Sequence, residues 1–282
     1  MKIINPEIAD IFVSNFSNLS GTKKMCPTRM IEMAARNCWQ SFEKTDSDSD
    51  QIPLLDHIYK SGHMTPFEFA SFVIHIITDR GVLAELTRHR MNAYCVESTR
   101  YVNNSKEVFG QGTGCVYIRP VFTDPKCTGH YITPNDSNEI LSFIKNITSM
   151  DRISEKTASW LIACGLSEYS YLTMADRDWG LAMQPQEART ALNQSTKTSI
   201  MFTANWRQIL HMAGLRADTP AHPEIRRIFI PVMEAIIKKY NQPFGHISDF
   251  IEKNKEQFLS KGWDLASISC DAGNGEPFNS IA

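Results

Sequence analysis

Residues 67–78 (FEFASFVIHIIT) constrain this chain more than any other stretch. The run is aromatic and β-branched, interrupted only by Glu68, Ser71 and His75, which favours a strand buried on both faces. A strand of that kind needs neighbours to hydrogen-bond and helices to cover it. Asp79 follows at once and is placed to cap the helix-forming stretch RGVLAELTRHRM. A second strand is expected at 196–204 (TKTSIMFTA), feeding the helix NWRQILHMAG. Apolar spacing predicts further helices from a Thr28 cap through RMIEMAARNCWQSF, over 52–59, 136–149 and 152–178, from Pro185, and over 223–240. Residues 103–137 are loop-rich, with one short strand at 115–122. The reading is one α+β domain over 1–262, with a polar tail at 263–282 that is expected to be mobile.

Charge narrows the function classes. The 282 residues carry 29 Lys and Arg against 31 Asp and Glu, a net charge of −2. No global basic field exists for nucleic acid or an anionic membrane, so any anion site must be a local cluster. No run of about 18 apolar residues occurs, and the first residues lack the apolar core of a signal peptide. The seven cysteines (26, 38, 95, 115, 127, 164 and 270) show no paired or zinc-like spacing. Reduced thiols in a cytoplasmic protein without metal are expected.

The arginines are clustered. Positions 80, 88, 90 and 100 fall in one group without lysine, and 189, 207, 216, 226 and 227 in another with only Lys197. Guanidinium binds phosphate and carboxylate bidentately and keeps its charge, which suits oxyanion recognition; solvated ion pairs on helices are the plainer alternative. Between the first arginines lie Glu97, Ser98 and Tyr101 in an extended or turning segment able to offer directional hydrogen bonds to a nucleotide. A histidine such as His89, taken alone, is more often a core or surface residue than a ligand contact; its company of arginines, Glu97 and Ser98 makes it a candidate.

Arg88-His89-Arg90, seven intervening residues, Ser98, and then Arg100-Tyr101 resemble the signature of the flavin-dependent thymidylate synthases. GHMTPFE at 62–68, ITDRGVLAELTRHR, PQEAR at 185–189, TANWRQILH at 203–211 and LRADTPAHPEIR at 215–226 are similar to other segments of that family, in its order. The resemblance implies conversion of dUMP to dTMP, with methylenetetrahydrofolate as one-carbon donor, FAD as hydride carrier and NADPH as its reductant. It also implies a central, mostly antiparallel sheet with flanking helices, and a homotetramer with shared sites. On the same basis Thr65, Arg88, His89, Arg90, Asn205, Arg207 and His211 fall on flavin contacts. Glu85, Arg88, Glu97, Ser98, Arg100, Arg189 and Arg216 fall on nucleotide contacts. Arg216 matches the arginine that binds uracil and favours ionisation at N3, a role suited to a fixed cation. His63 matches a histidine near flavin and folate.

Several positions depart from the pattern: Phe69 for a usual His, Ala93, Cys95 and Val96 for polar or small residues, Asn193 for Pro, and Pro220 for His in some members. Val96 matters most, since losing a hydrogen bond to a buried ligand group costs about 1–3 kcal/mol. These changes keep open a divergent enzyme acting on another pyrimidine such as dCMP, or releasing a 5-hydroxymethyl product. A further alternative is a non-catalytic RNA binder using the Arg-rich 80–90 helix with Tyr94 and Tyr101 as stacking groups.

Overall fold

The computed structural model describes residues 1–17, 20–21, 24–45, 52–106, 114–151, 153–176, 178–240 and 244–269. Strands β1 (Lys2–Ile4), β2 (Glu7–Val13), β3 (Phe16–Ser17) and β4 (Lys24–Met25) precede helices α1 (Pro27–Trp39) and α2 (Pro53–Lys60). The central strand β5 (Ser71–Asp79) runs into α3 (Arg80–Leu86), and β6 (Ala93–Val96) follows. Then come β7 (Val116–Ile118), β8 (Gly129–His130), α4 (Ile140–Thr148), α5 (Glu155–Ala175) and the short α6 (Pro185–Ala188). Strand β9 (Lys197–Asn205), α7 (Trp206–Arg216), α8 (Pro223–Lys239), α9 (Ser248–Leu259) and β10 (Ser267–Ile268) complete the described elements.

The main sheet has the order β10-β2-β5-β9-β6. Its β10–β2 pair is parallel, and the β2–β5, β5–β9 and β6–β9 pairs are antiparallel. Strand β9 alternates strictly: Thr198, Ile200, Phe202 and Ala204 are buried, and the intervening residues are half-buried. Strand β5 does the same with Phe72, Ile74, Ile76 and Thr78, and adds His75 from its other face. The expectation of a strand buried on both faces is therefore corrected: one face makes the core and the other stays partly open. Helix α8 closes the core face, buried almost all round from Glu224 to Met233, as a helix packed in a protein interior must be. A second, smaller core joins Ile3, Cys115 and Tyr117 of the sheet β7-β1-β8 to Phe143 of α4 and Leu161, Cys164 and Tyr171 of α5. There Gly165 lets the Phe143 ring sit where a Cβ would lie only 2.2 Å away.

Element boundaries differ from the sequence reading for local reasons. Helix α1 starts at Pro27 with Cys26 at its cap position, and no side chain caps it; Thr28 lies inside the helix. Pro66 sets a 3₁₀ turn over Thr65–Phe69, so β5 begins at Ser71, four residues later than expected. Asp79 caps α3 as predicted, its Oδ1 accepting from Val82 N at 2.9 Å. The helix stops at Leu86, before the Arg-His-Arg triplet, where the Tyr94 hydroxyl donates to the Leu86 carbonyl. The strand expected at 115–122 shortens to Val116–Ile118. The tail does not begin at 263: Ala266 N donates to Arg227 O at 3.0 Å, and β10 pairs with Glu7 and Ile8. Residues 270–282 lie outside the described residues.

Candidate functional site

Helices α3 and α7 leave opposite ends of the β5–β9 pair, where Asp79 faces Lys197 and Ser71 faces Asn205. Their C-terminal ends meet. Arg216, the last residue of α7, donates through Nη1 to Glu85 Oε2 at 3.0 Å, through Nη2 to the Glu85 carbonyl at 3.2 Å, and through Nε to His89 Nε2 at 2.8 Å. A cation belongs at this point, because two helix C-termini concentrate negative potential there. Guanidinium carries five N–H groups. Three are used among the described residues, which leaves two. His222, at the N-cap of α8, completes the group with its Nδ1 3.9 Å from Glu85 Oε1.

His89 is buried while Arg88 and Arg90 on either side are exposed. Burial, the Arg216 cation and His211 together lower its pKa to about 4, so near neutrality the imidazole is neutral and accepts from Arg216. The His211 ring stands edge-on to it at 6.1 Å between centroids.

Two cavities lie toward the two ends of the β5–β9 pair. One of about 250 Å³ lies at the Asp79–Lys197 end, lined by Arg80, Thr99, Arg189, Thr190 and residues 192–194. Arg80 Nη1 is buried there without a hydrogen-bond partner, and the exposed Arg189 has no acidic partner among the described residues. Glu97 stands close by in sequence but is committed locally: its Oε2 accepts from Lys197 Nζ at 2.8 Å and Ser199 N at 3.1 Å. The half-buried Ser98 Oγ accepts from Arg100 N at 3.3 Å, and the exposed Arg100 guanidinium lies 5.7 Å from the Tyr101 ring centroid. The other cavity, of about 410 Å³, lies toward the Ser71–Asn205 end, lined by Tyr59, Lys60, Met64, Arg207, Leu210 and His211. Thr65 is exposed next to Met64. Asn205 caps α7, its Oδ1 accepting from Gln208 N at 2.8 Å. Arg207 pairs with Glu68 at 2.5 Å. His63 is exposed and meets Trp39 edge-on.

The predicted residues thus gather in three places: the Glu85–His89–Arg216 junction, the Arg189 cavity and the Arg207–His211 cavity. The two ends of β5 are roughly 25 Å apart at about 3.3 Å per residue, so one chain does not bring all of them to one point. Clustering alone does not single out Arg80; the signal for it is its position directly after the capping Asp79, at the head of α3. His222 was missed, since nothing in the sequence ties it to Glu85. Val96 packs against the main core, and no metal-binding group of His, Cys, Asp and Glu exists among the described residues.

Residues 22–240 match the family described as thymidylate synthase complementing protein. The flavin-dependent thymidylate synthase of Haloarcula marismortui is 30% identical over 227 residues, covering 74% of this chain and 85% of that protein. A probable flavin-dependent thymidylate synthase of Mycobacterium phage L5 is 26% identical over 71% of this chain and 72% of its own length. Among solved structures, the Helicobacter pylori thymidylate synthase ThyX with FAD and dUMP shares the fold at a TM-score of 0.52 and 20% identity, over 82% of this chain and 93% of that one. The UMP/dUMP methylase PolB of Streptomyces cacaoi, bound with 5-Br dUMP, does so at 0.54 and 20%, over 84% and 93%. With the Arg-His-Arg triplet, the capped helix before it and the Arg216 junction all inside the matched region, the chain belongs to the family of flavin-dependent thymidylate synthases.

Proposed function

We propose that this chain methylates dUMP to dTMP, taking the carbon from methylenetetrahydrofolate, with FAD re-reduced by NADPH. The observation that carries the reading is the convergence of α3 and α7 on Arg216, which meets His89 of the Arg-His-Arg triplet, in a chain where other arginines have no acid of their own. Arg88, Arg90, Arg100 and Arg189 are exposed and without an acidic partner among the described residues. Unneutralised guanidinium groups of this kind fit the phosphates of a dinucleotide and of a mononucleotide. When bound, the reduced flavin supplies the hydride that completes the methyl group.

The chain's own residues do the remaining work. Arg80 and Arg189 face the smaller cavity, where the buried, unpaired Nη1 of Arg80 suits a phosphate oxygen. Ser98 and Arg100 border the nucleotide from the turn after β6. Arg207 and His211, with Thr65 beside them, line the larger cavity and would hold the flavin together with Arg88 and Arg90. Arg216 directs its two free N–H groups at the pyrimidine. Its charge stabilises the anion left when N3 loses a proton, which raises electron density at C5 for attack on the one-carbon unit. The separation of the two cavities along β5 supports a homotetramer in which one site takes residues from several chains.

Anaerobic turnover of the FAD-loaded protein with dUMP, methylenetetrahydrofolate and NADPH tests the reading. The nucleotide should gain the mass of one methylene unit, a hydrogen becoming a methyl group. A hydroxymethyl product, or bound FAD without dUMP turnover, would sink it in favour of the divergent enzyme. Nothing at Val96 favours that second reading, because its side chain serves the core.

A further inference from the structure

We infer that His89 is the positioning residue for Arg216: its Nε2 fixes the plane of the guanidinium that faces the pyrimidine. This rests on the functional reading above. The Arg-His-Arg triplet divides by burial, since the arginines are exposed while the histidine is only 6% exposed and turned inward. Its Nε2 lies 2.8 Å from Arg216 Nε. The other two contacts of the guanidinium both end on one residue, Glu85, at its carboxylate and its carbonyl. Those two bonds hold the Nη edge. Only the His89 bond holds Nε, and with it the direction in which the free N–H groups point.

A neutral acceptor is the right chemistry here. With the Glu85 carboxylate already offsetting part of the Arg216 charge, a second carboxylate at Nε would remove what is left for the substrate, and a protonated imidazole could not accept at all. The charged and titratable groups that meet His89 are consistent with this. Arg216 and His211 of α7 both disfavour its protonation, as does burial, and the group titrates at about 4. Glu85, from α3, reaches it only through Arg216, and His222, at the head of α8, only through Glu85. The Tyr94 hydroxyl sits 3.2 Å from the His89 carbonyl and places the backbone rather than the ring.

Three variants of the FAD-loaded enzyme test the assignment. Gln places an acceptor close to where Nε2 stood, Asn falls short, and Leu has none. His89→Gln should keep kcat within about threefold, whereas His89→Leu and His89→Asn should each lose roughly a hundredfold, the cost of misplacing a reacting geometry by about 1 Å. KM for dUMP should change little; because the family resemblance also sets His89 on a flavin contact, FAD content is measured in each variant and kcat is taken per bound FAD. The pH at which bound 5-fluoro-dUMP ionises, read by ultraviolet difference absorbance, should stay low in wild type and His89→Gln. In the Leu and Asn variants it should move toward the value of the free nucleotide. Loss of FAD in step with activity, or an unchanged ionisation pH in His89→Leu and His89→Asn, would overturn the inference. A wild type that does not turn over dUMP ends the functional reading instead. The Arg216 Nε–H signal of ¹⁵N-labelled protein then decides the positioning alone: slow exchange in wild type and His89→Gln with fast exchange in His89→Asn supports it, and equal exchange refutes it.

Discussion

Two sets of arginines in this chain use the same side chain for opposite ends. Arg119, Arg226 and Arg227 are at most 1% exposed, and protein groups hold them from several sides. Arg119 donates to Asn5 Oδ1 and to the Pro120 and Thr123 carbonyls, and Arg227 to the Asp264 and Arg119 carbonyls. Both also donate to Asp264 Oδ2, which ties the end of the described chain to its beginning and to α8. Arg226 reaches the Ala217 and Asn254 carbonyls and Gln257 Oε1, joining α8 to α9. Arg88, Arg90, Arg100 and Arg189 have none of this, standing exposed on turns and a short 3₁₀ segment. A buried guanidinium must find its partners within the fold, because leaving it unpaired is prohibitive. An exposed one without a carboxylate keeps its charge for something that arrives later. Arg216 stands between the two sets, partly held and partly free.

The largest expected effect comes from breaking the buried set. Arg227→Ala takes the nearby cation from buried Glu224 and the donor from the Asp264 and Arg119 carbonyls, while Arg119 still holds Asp264, and should lower stability by roughly 3–5 kcal/mol in urea unfolding. Arg88→Ala should change stability by no more than about 0.5 kcal/mol, yet reduce retained flavin absorbance. If Arg88→Ala unfolded the protein while Arg227→Ala shed only ligand, the comparison would be inverted.

This division was only half legible in the sequence. Clustering of arginines marked the region, and the Arg-His-Arg spacing marked the family. Clustering places Arg226 and Arg227 with the anion-binding candidates, because clustering does not report burial. Their helix proves buried all round, and their partners Asn254, Gln257 and Asp264 lie far downstream, where no local pattern points back to them. The central strands and the Asp79-capped helix were readable because β-branched runs and capping are local properties. Strands β1 and β2 were missed: KII is too short to show a period, and EIADIFV breaks its alternation at the irregularity between Ile8 and Asp10. The inward turn of His89 was equally hidden, since it follows from α7 arriving from the far end of the sheet.

A middle-sized effect separates the buried groups by pH. His89 titrates at about 4 in the folded chain against an ordinary 6.5, so the unfolded chain binds the extra proton between those values. Stability from this group therefore falls as pH drops from about 6.5 to 4, by about 3 kcal/mol in all. Glu224 runs the other way. Burial raises its carboxyl from 4.5 to about 7, so the folded chain binds the extra proton, and stability from this group rises as pH drops through that window. Between 6.5 and 4.5 the two nearly cancel. Glu224→Gln removes one side and should steepen the acid loss seen by urea unfolding at successive pH values. His89→Gln removes the other and should make the protein gain stability, relative to wild type, as pH falls from 6.5 to 4. Parallel curves for all three proteins would show that neither group titrates as its surroundings require.

The smallest effect concerns the arginine that sits on the boundary of the comparison. Arg207 is exposed like the ligand-facing set, 52% for its side chain, yet it already pairs with Glu68, itself 40% exposed. An ion pair this open contributes only about 0–1 kcal/mol, so Glu68→Gln should leave the unfolding midpoint almost unmoved. It should still act on binding. Releasing Arg207 gives the larger cavity a full positive charge, and FAD retention at low ionic strength should tighten by about two- to fivefold, the most that a coupling of this size can supply. Salt screens both the pair and the freed charge, so the gain should shrink as ionic strength rises beyond about 0.15 M. Weaker FAD retention in Glu68→Gln at every salt concentration would instead make the pair itself the contact surface, with Arg207 belonging among the partnered arginines despite its exposure.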